Sequence, residues 1–132
     1  MALSEKARAL MLEMREAALL RAEYEAVSGE HKRLLALAEE GEEIDFGLLE
    51  FLDREQRAYR KALARRRARN WAVLSQGRAA LAQDEFGARV LRLRYAVGYS
   101  WRQIGKVMNC SHTMVRRVHN RALEALVQGG RV

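Results

Sequence analysis

The residues best equipped for chemistry lie between positions 92 and 121 of the 132-residue chain. Ser111, His112, Thr113, Arg116, Arg117 and Asn120 fall on one side of a helical stretch. Its other side carries Val115, Val118, Ala122 and Leu126. The N-terminal half of such a helix is the part that reaches base edges in a major groove. Arg116 and Arg117 are suited to guanine O6/N7 or to phosphates, and Asn120 to adenine N6/N7. Ser111 and the first-turn amides suit a phosphate, as helix N-termini do. Arg102 and Lys106, with Arg92 and Arg94 further upstream, fit backbone contacts that set register without reading sequence. Arg121 has two readings, a DNA contact or an ion pair with Glu124. The chemistry indicated is recognition of double-stranded DNA.

Nothing indicates catalysis. The chain has no Ser/His/Asp order, no phosphate-binding glycine loop and no paired-carboxylate pocket, so no catalytic residue is expected. Cys110 and His112, with His119 further on, offer three candidate ligands without a fourth, too few for a metal site. Cys110 reads instead as a small apolar plug, and as the only cysteine it forms no internal disulfide. No metal or cofactor is expected. Trp71 and Trp101 read as packing residues, with a place beside DNA as the second reading for Trp101, near a helix start.

These side chains need elements to hold them. Asp84 can cap a helix running through Phe86, Val90, Leu91, Leu93 and Tyr95, and Gly98 suits its stop. Ser100 and Gln103 have the spacing of a capping box at the start of a short helix. Ile104 faces inward there, Gly105 allows two helices to cross closely, and Met108 closes the helix. Asn109 tolerates the left-handed conformation of a tight turn. Ser111 caps the last helix, which Val115 and Val118 anchor and which runs to about Val127. These offsets predict a helix-turn-helix.

The series Val90-Leu91-Arg92-Leu93-Arg94-Tyr95, Gly98, Ser100, Ile104, Cys110-Ser111, Val115 and Arg121-Ala122-Leu123 resembles region four of bacterial sigma factors. The resemblance covers about residues 83–127. It implies a helix-turn-helix that reads the −35 promoter element and also contacts the RNA polymerase flap. Gly105 stands where that family usually has Ala, and Asn109 where it usually has Gly. Nothing upstream resembles the sigma regions that bind the −10 element or the polymerase clamp. A helical arm before such a module is also the order of phage late-gene activators similar to the ArpU and RinA groups.

The rest of the chain is patterned as helix. It contains no proline, and Ala, Leu, Arg and Glu dominate it. The fold class expected is all-α, a long N-terminal helical hairpin followed by a C-terminal helix-turn-helix domain. Ser4 can cap a first helix with Ala7, Leu10, Met14, Ala17, Tyr24 and Val27 on one face. Whether it continues past Ser28-Gly29 the sequence leaves open. Asp45 can cap a second helix, where Leu49, Leu52, Tyr59, Leu63 and Val73 form a 4/3 seam interrupted by Gln56, Arg66 and Asn70.

The net charge of +7 is unevenly spread. Residues 1–53 carry 6 Lys and Arg against 13 Asp and Glu, whereas residues 54–78 and 88–132 each carry 9 against 1. The acidic first helix is expected to lie along the basic second one. The run Arg65-Arg66-Arg67-Ala68-Arg69 suits either nucleic-acid phosphates or a solvated, paired helix face, and the second reading is favoured. Narrow, partly polar seams predict that residues 1–78 form a coiled-coil-like oligomerisation arm, a dimer favoured, and that residues 83–132 fold separately. No run approaches the roughly 18 apolar residues of a membrane span, and no signal peptide is visible at the start. The cytoplasm of a bacterial host cell is the expected location. The functional expectation is a sequence-specific transcriptional regulator of phage or prophage origin. A small-terminase-like packaging subunit and a polymerase-docking protein are the alternatives.

Overall fold

The computed structural model describes residues 2–129 and contains helices and turns, with no strand among the described residues. Helix α1 spans Glu5–Glu39 and α2 spans Phe46–Gln76. A 3-10 turn at Arg78–Leu81 leads to α3, Glu85–Leu91, which continues as a π-helical stretch over Arg92–Val97. Helices α4, Trp101–Met108, and α5, His112–Gln128, complete the chain. The all-α expectation holds, with long N-terminal helices ahead of a helix-turn-helix.

Local signals fix the boundaries. The Ser4 hydroxyl accepts from the Ala7 amide at 3.2 Å, and Asp45 accepts from Leu48 at 3.1 Å. Asp84 accepts from Gly87 at 2.9 Å, and Ser111 from Met114 at 3.2 Å. Each satisfies one of the amides that a helix start leaves orphaned. Helix α1 runs unbroken through Ser28-Gly29, which settles the question the sequence left open. Gly29 is exposed, and its modest cost to a helix is overridden by the turns on either side.

Two compact units make up the chain, and their limits differ from the expected division near residue 78. One unit takes the residues up to Ala17 together with those from Arg66 onward; the other is Ala18–Arg65. The reason is the core. Ala7, Leu10 and Met14 of α1 and Leu74 of α2 pack in one apolar cluster with Leu91, Leu123 and Leu126. Residues 83–132 therefore do not bury their apolar surface alone. They share it with the first turns of α1 and the last turns of α2. Within residues 83–132, Gly87 lets α3 approach α5 closely, since a Cβ there would lie 2.8 Å from the Ala122 Cβ.

In this unit the interruptions of the α2 seam have partners. Arg66 pairs with Glu16 at 2.9 Å, and Arg69 with Glu13 at 3.0 Å. That is the paired-face reading of the arginine run for those two residues. Asn70 is 1% exposed, and its amide donates to the Met14 carbonyl at 2.9 Å and the Tyr95 carbonyl at 3.1 Å. The second carbonyl is available because the π-helical stretch ends irregularly. The Gly98 and Tyr99 amides both return to the Leu93 carbonyl, with Gly98 at φ 95°, and Tyr95 is passed over.

In the unit Ala18–Arg65 the buried hydrophobic residues are Leu34, Leu52 and Leu63. The seam between them is polar, with His31 4.0 Å from Asp53 and Tyr24 beside Ser28 and Gln56.

Asn70→Leu keeps similar volume but leaves the Tyr95 carbonyl buried and unpaired. A buried orphan acceptor costs about 1–3 kcal/mol, so the variant is expected to unfold at lower denaturant by that amount. A midpoint equal to the parent's would show that the amide bridge contributes nothing.

Candidate nucleic-acid interface

Helices α4 and α5 form the elbow that the sequence predicts. The Ser100 hydroxyl accepts from the Gln103 amide at 3.1 Å, and the Gln103 side chain accepts from the Ser100 amide at 2.9 Å. Asn109 adopts φ 56°, the left-handed turn expected of it. Val90, Ile104, Val115 and Val118 form a second apolar cluster, with Met108 and Cys110 packed against it. Burying each such side chain stabilises by about 1.5–3 kcal/mol, enough to fix the angle between the helices. Gly105 acts somewhat differently from expectation. A Cβ there would lie 2.8 Å from the Cys110 carbonyl, so the small residue admits the returning turn rather than a helix crossing.

This elbow displays the first turns of α5. Ser111, His112, Thr113, Arg116 and Arg117 are exposed on the face opposite the core. Met114, 44% exposed, joins them, an apolar member of that face that polarity-based reasoning passed over. Arg102 and Lys106 are exposed on α4. From Phe86 through Leu123 the chain has eight Arg or Lys and not one Asp or Glu. A positive excess of that kind favours a polyanion as partner.

Four predicted residues stand elsewhere. Arg121 is held by Asp84, with guanidinium–carboxylate distances of 3.1 and 3.2 Å, and not by Glu124. Glu124 instead accepts from the Ser4 amide at 2.8 Å. Partial burial disfavours the Asp84 carboxylate, but Arg121 and the Gly87 amide outweigh it and hold its pKa below the ordinary value. Arg94 is half-buried, lies 4.3 Å over the Trp101 ring and donates to the Tyr99 carbonyl at 3.1 Å. Burial, with the like charges of Arg116 and Arg15, lowers its pKa. Arg92 lines a different recess, with Arg78, Arg89 and Trp71, so the two arginines are not brought together. Trp71 itself is 53% exposed, against the packing role expected of it.

Asn120 is only half-exposed, and its side-chain oxygen lies 2.8 Å from His119 Nδ1. That oxygen can only accept, so Nδ1 carries the proton. Nε2 then accepts from the Tyr95 hydroxyl, 2.7 Å away. Burial pushes the Tyr95 pKa up to about 12, which keeps the hydroxyl a donor. His119, 1% exposed, also meets the Trp101 ring edge-on. Sequence spacing offered no signal for this Tyr95–His119–Asn120 chain, because two of its members face the core.

Residues 87–127 match the family model described as sigma-70, region 4. That family is a DNA-binding, non-catalytic helix-turn-helix domain. No curated protein and no solved structure gives a significant match. Among the described residues no helix is long and apolar enough to cross a membrane, and no group of three His, Cys, Asp or Glu could hold a metal.

Burial lowers the His119 pKa, so the folded chain keeps the ring neutral while the unfolded chain protonates it near the ordinary value of 6.5. Acid therefore favours unfolding. Below about pH 6.5 the parent should lose stability at up to about 1.4 kcal/mol per pH unit more than His119→Gln. Above that pH the difference in slope vanishes. Denaturant titrations from pH 7.5 to 5 measure it, and parallel curves would mean that His119 titrates alike in both states.

Proposed function

We propose that this chain is a sequence-specific regulator of transcription that reads duplex DNA with the first turns of α5. One observation carries the reading: an exposed face of Ser111, His112, Thr113, Arg116 and Arg117 on a firmly cored helix-turn-helix, in a stretch free of acids. Base edges fall to Arg116 and Arg117, and phosphates to Ser111, Arg102 and Lys106. Asn120 acts mainly by holding His119. Arg121 and Arg94 act as structural residues beside the interface, and Arg92 as a peripheral phosphate contact. The order of helical arm and sigma-like module supports a role like that of the phage late activators it resembles, with RNA polymerase as a second partner.

Two variants separate reading from charge attraction. Arg117→Ala should cost about 1–3 kcal/mol on a duplex selected from a random pool and much less on random duplex. Lys106→Ala should weaken both alike and reduce the log–log salt slope by about one unit. Anisotropy titrations at several salt concentrations supply the constants. Equal loss on both duplexes for Arg117→Ala would exclude base reading there and favour a polymerase-docking role.

The unit Ala18–Arg65 supplies the self-association. Its core is thin, while Leu19, Leu35, Phe46, Leu48 and Phe51 are each more than 40% exposed. Soluble monomers rarely leave so much apolar surface open. Light scattering at tens of micromolar should give the mass of a dimer. A monomer would overturn this assignment, and a large ring would favour a DNA-packaging subunit instead.

A further inference from the structure

A cleft of about 530 Å³ opens within the first compact unit, beside the outward face of α5. Arg15 of α1, Arg94 and Tyr95 of the π-helical stretch, Trp101 of α4, and Arg116 and His119 of α5 are among its walls. Three guanidinium groups thus border one space, and no acidic residue lines it. The nearby acids are already engaged. Glu13 holds Arg69, Glu16 holds Arg66, Asp84 holds Arg121, and Glu124 accepts from the Ser4 amide. No acid among the described residues forms an ion pair with Arg15, Arg94 or Arg116.

Like charges held together repel, and the two clustered on Trp101 cannot disperse freely. Arg94 lies 4.3 Å from the ring centroid and Arg116 lies 5.7 Å from it. The indole face attracts both cations, so it supports them without neutralising them. An oxyanion supplies the missing charge, and the guanidinium fork matches phosphate geometry. A phosphate monoester carries about −1.5 to −2 near pH 7 and so balances three cations better than a singly charged diester. The cleft falls within the roughly 300–1,000 Å³ typical of small-molecule sites, with room beyond a bare phosphate.

We propose that this cleft binds a small phosphomonoester, its dianionic head held by Arg15, Arg94 and Arg116. The organic part lies toward Leu3 and Met11, which supply the apolar wall. Arg116 also belongs to the exposed face of α5, so an occupant that recruits it competes with DNA. That consequence rests on the proposed function, whereas binding itself does not.

The test uses the full chain carrying Trp71→Phe, which leaves Trp101 as the sole indole reporter. Inorganic phosphate and dimethyl phosphate are titrated at pH 7.5 and constant ionic strength, without DNA. Phosphate should change the Trp101 emission saturably, and dimethyl phosphate should bind much more weakly. Adding Arg15→Gln, an exposed position outside the core, should raise the phosphate midpoint roughly tenfold, the scale of one charge-assisted hydrogen bond. Circular dichroism verifies that the variant is folded. An unsaturable response, or a midpoint unmoved by Arg15→Gln, would overturn the proposal. Equal binding of dimethyl phosphate would also overturn it, and would assign the cleft to the DNA backbone. A failure of DNA binding alone leaves the phosphate result intact.

Discussion

One carboxamide joins three elements that are well separated in sequence. Asn70 lies in α2, and its two amide hydrogens reach the Met14 carbonyl of α1 and the Tyr95 carbonyl at the end of the π-helical stretch. The buried position makes both bonds matter, because no water is at hand to replace them. Tyr95 is thereby fixed by its backbone, and its hydroxyl fixes His119 in the middle of α5. His119 in turn takes up Asn120 and meets the edge of Trp101. The angle at which α5 shows its outer face is set from behind by this relay as well as by the apolar elbow. A leucine at position 70 would continue the seam but leave the relay without its first link.

Much of the molecule was legible because its signals are local. Caps at Ser4, Asp45, Asp84, Ser100 and Ser111 act over three residues, and each is satisfied where the spacing put it. The left-handed turn at Asn109 and the stop at Gly98 are equally short-range. The same reading treated Asn70 as a flaw in the α2 seam. Its partners lie 56 and 25 residues away, and no periodicity reports them. Arg121 failed for a related reason. Glu124 was the nearer acid on the helix, but Asp84, 37 residues upstream, offers a fixed bidentate carboxylate. Arg92 and Arg94 are two positions apart, so any helix turns them to different sides, and they line separate recesses.

The charge division has a physical consequence beyond attraction to a polyanion. Glu13 and Glu16 of α1 meet Arg69 and Arg66 of α2, so part of the positive run in α2 is answered within the chain. Exposed pairs of this kind contribute little stability, about 0–1 kcal/mol each. Their larger effect is on register and on where uncompensated charge remains. With those acids engaged by α2, the stretch from Phe86 through Leu123 keeps its eight cations with no internal acid to dilute them. Among the described residues only Arg121 is drawn away, by Asp84.

The uncompensated charge is held on two surfaces of one helix. The outer side of α5 bears Arg117 with Ser111 and Thr113 in open solvent, while Arg116 leans toward Trp101 and the cleft that Arg94 shares. A guanidinium stacked on an indole has lost part of its hydration already, so transferring it to a phosphate costs less than for a free side chain. The exposed Arg117 keeps conformational freedom that any contact with a ligand must then restrict. Neighbouring residues of the same type thus face different costs on binding, set by Trp101 and by the buried His119 beneath it. The core of the helix-turn-helix therefore decides more than the position of α5. It also decides which of its arginines is held in place before any ligand arrives.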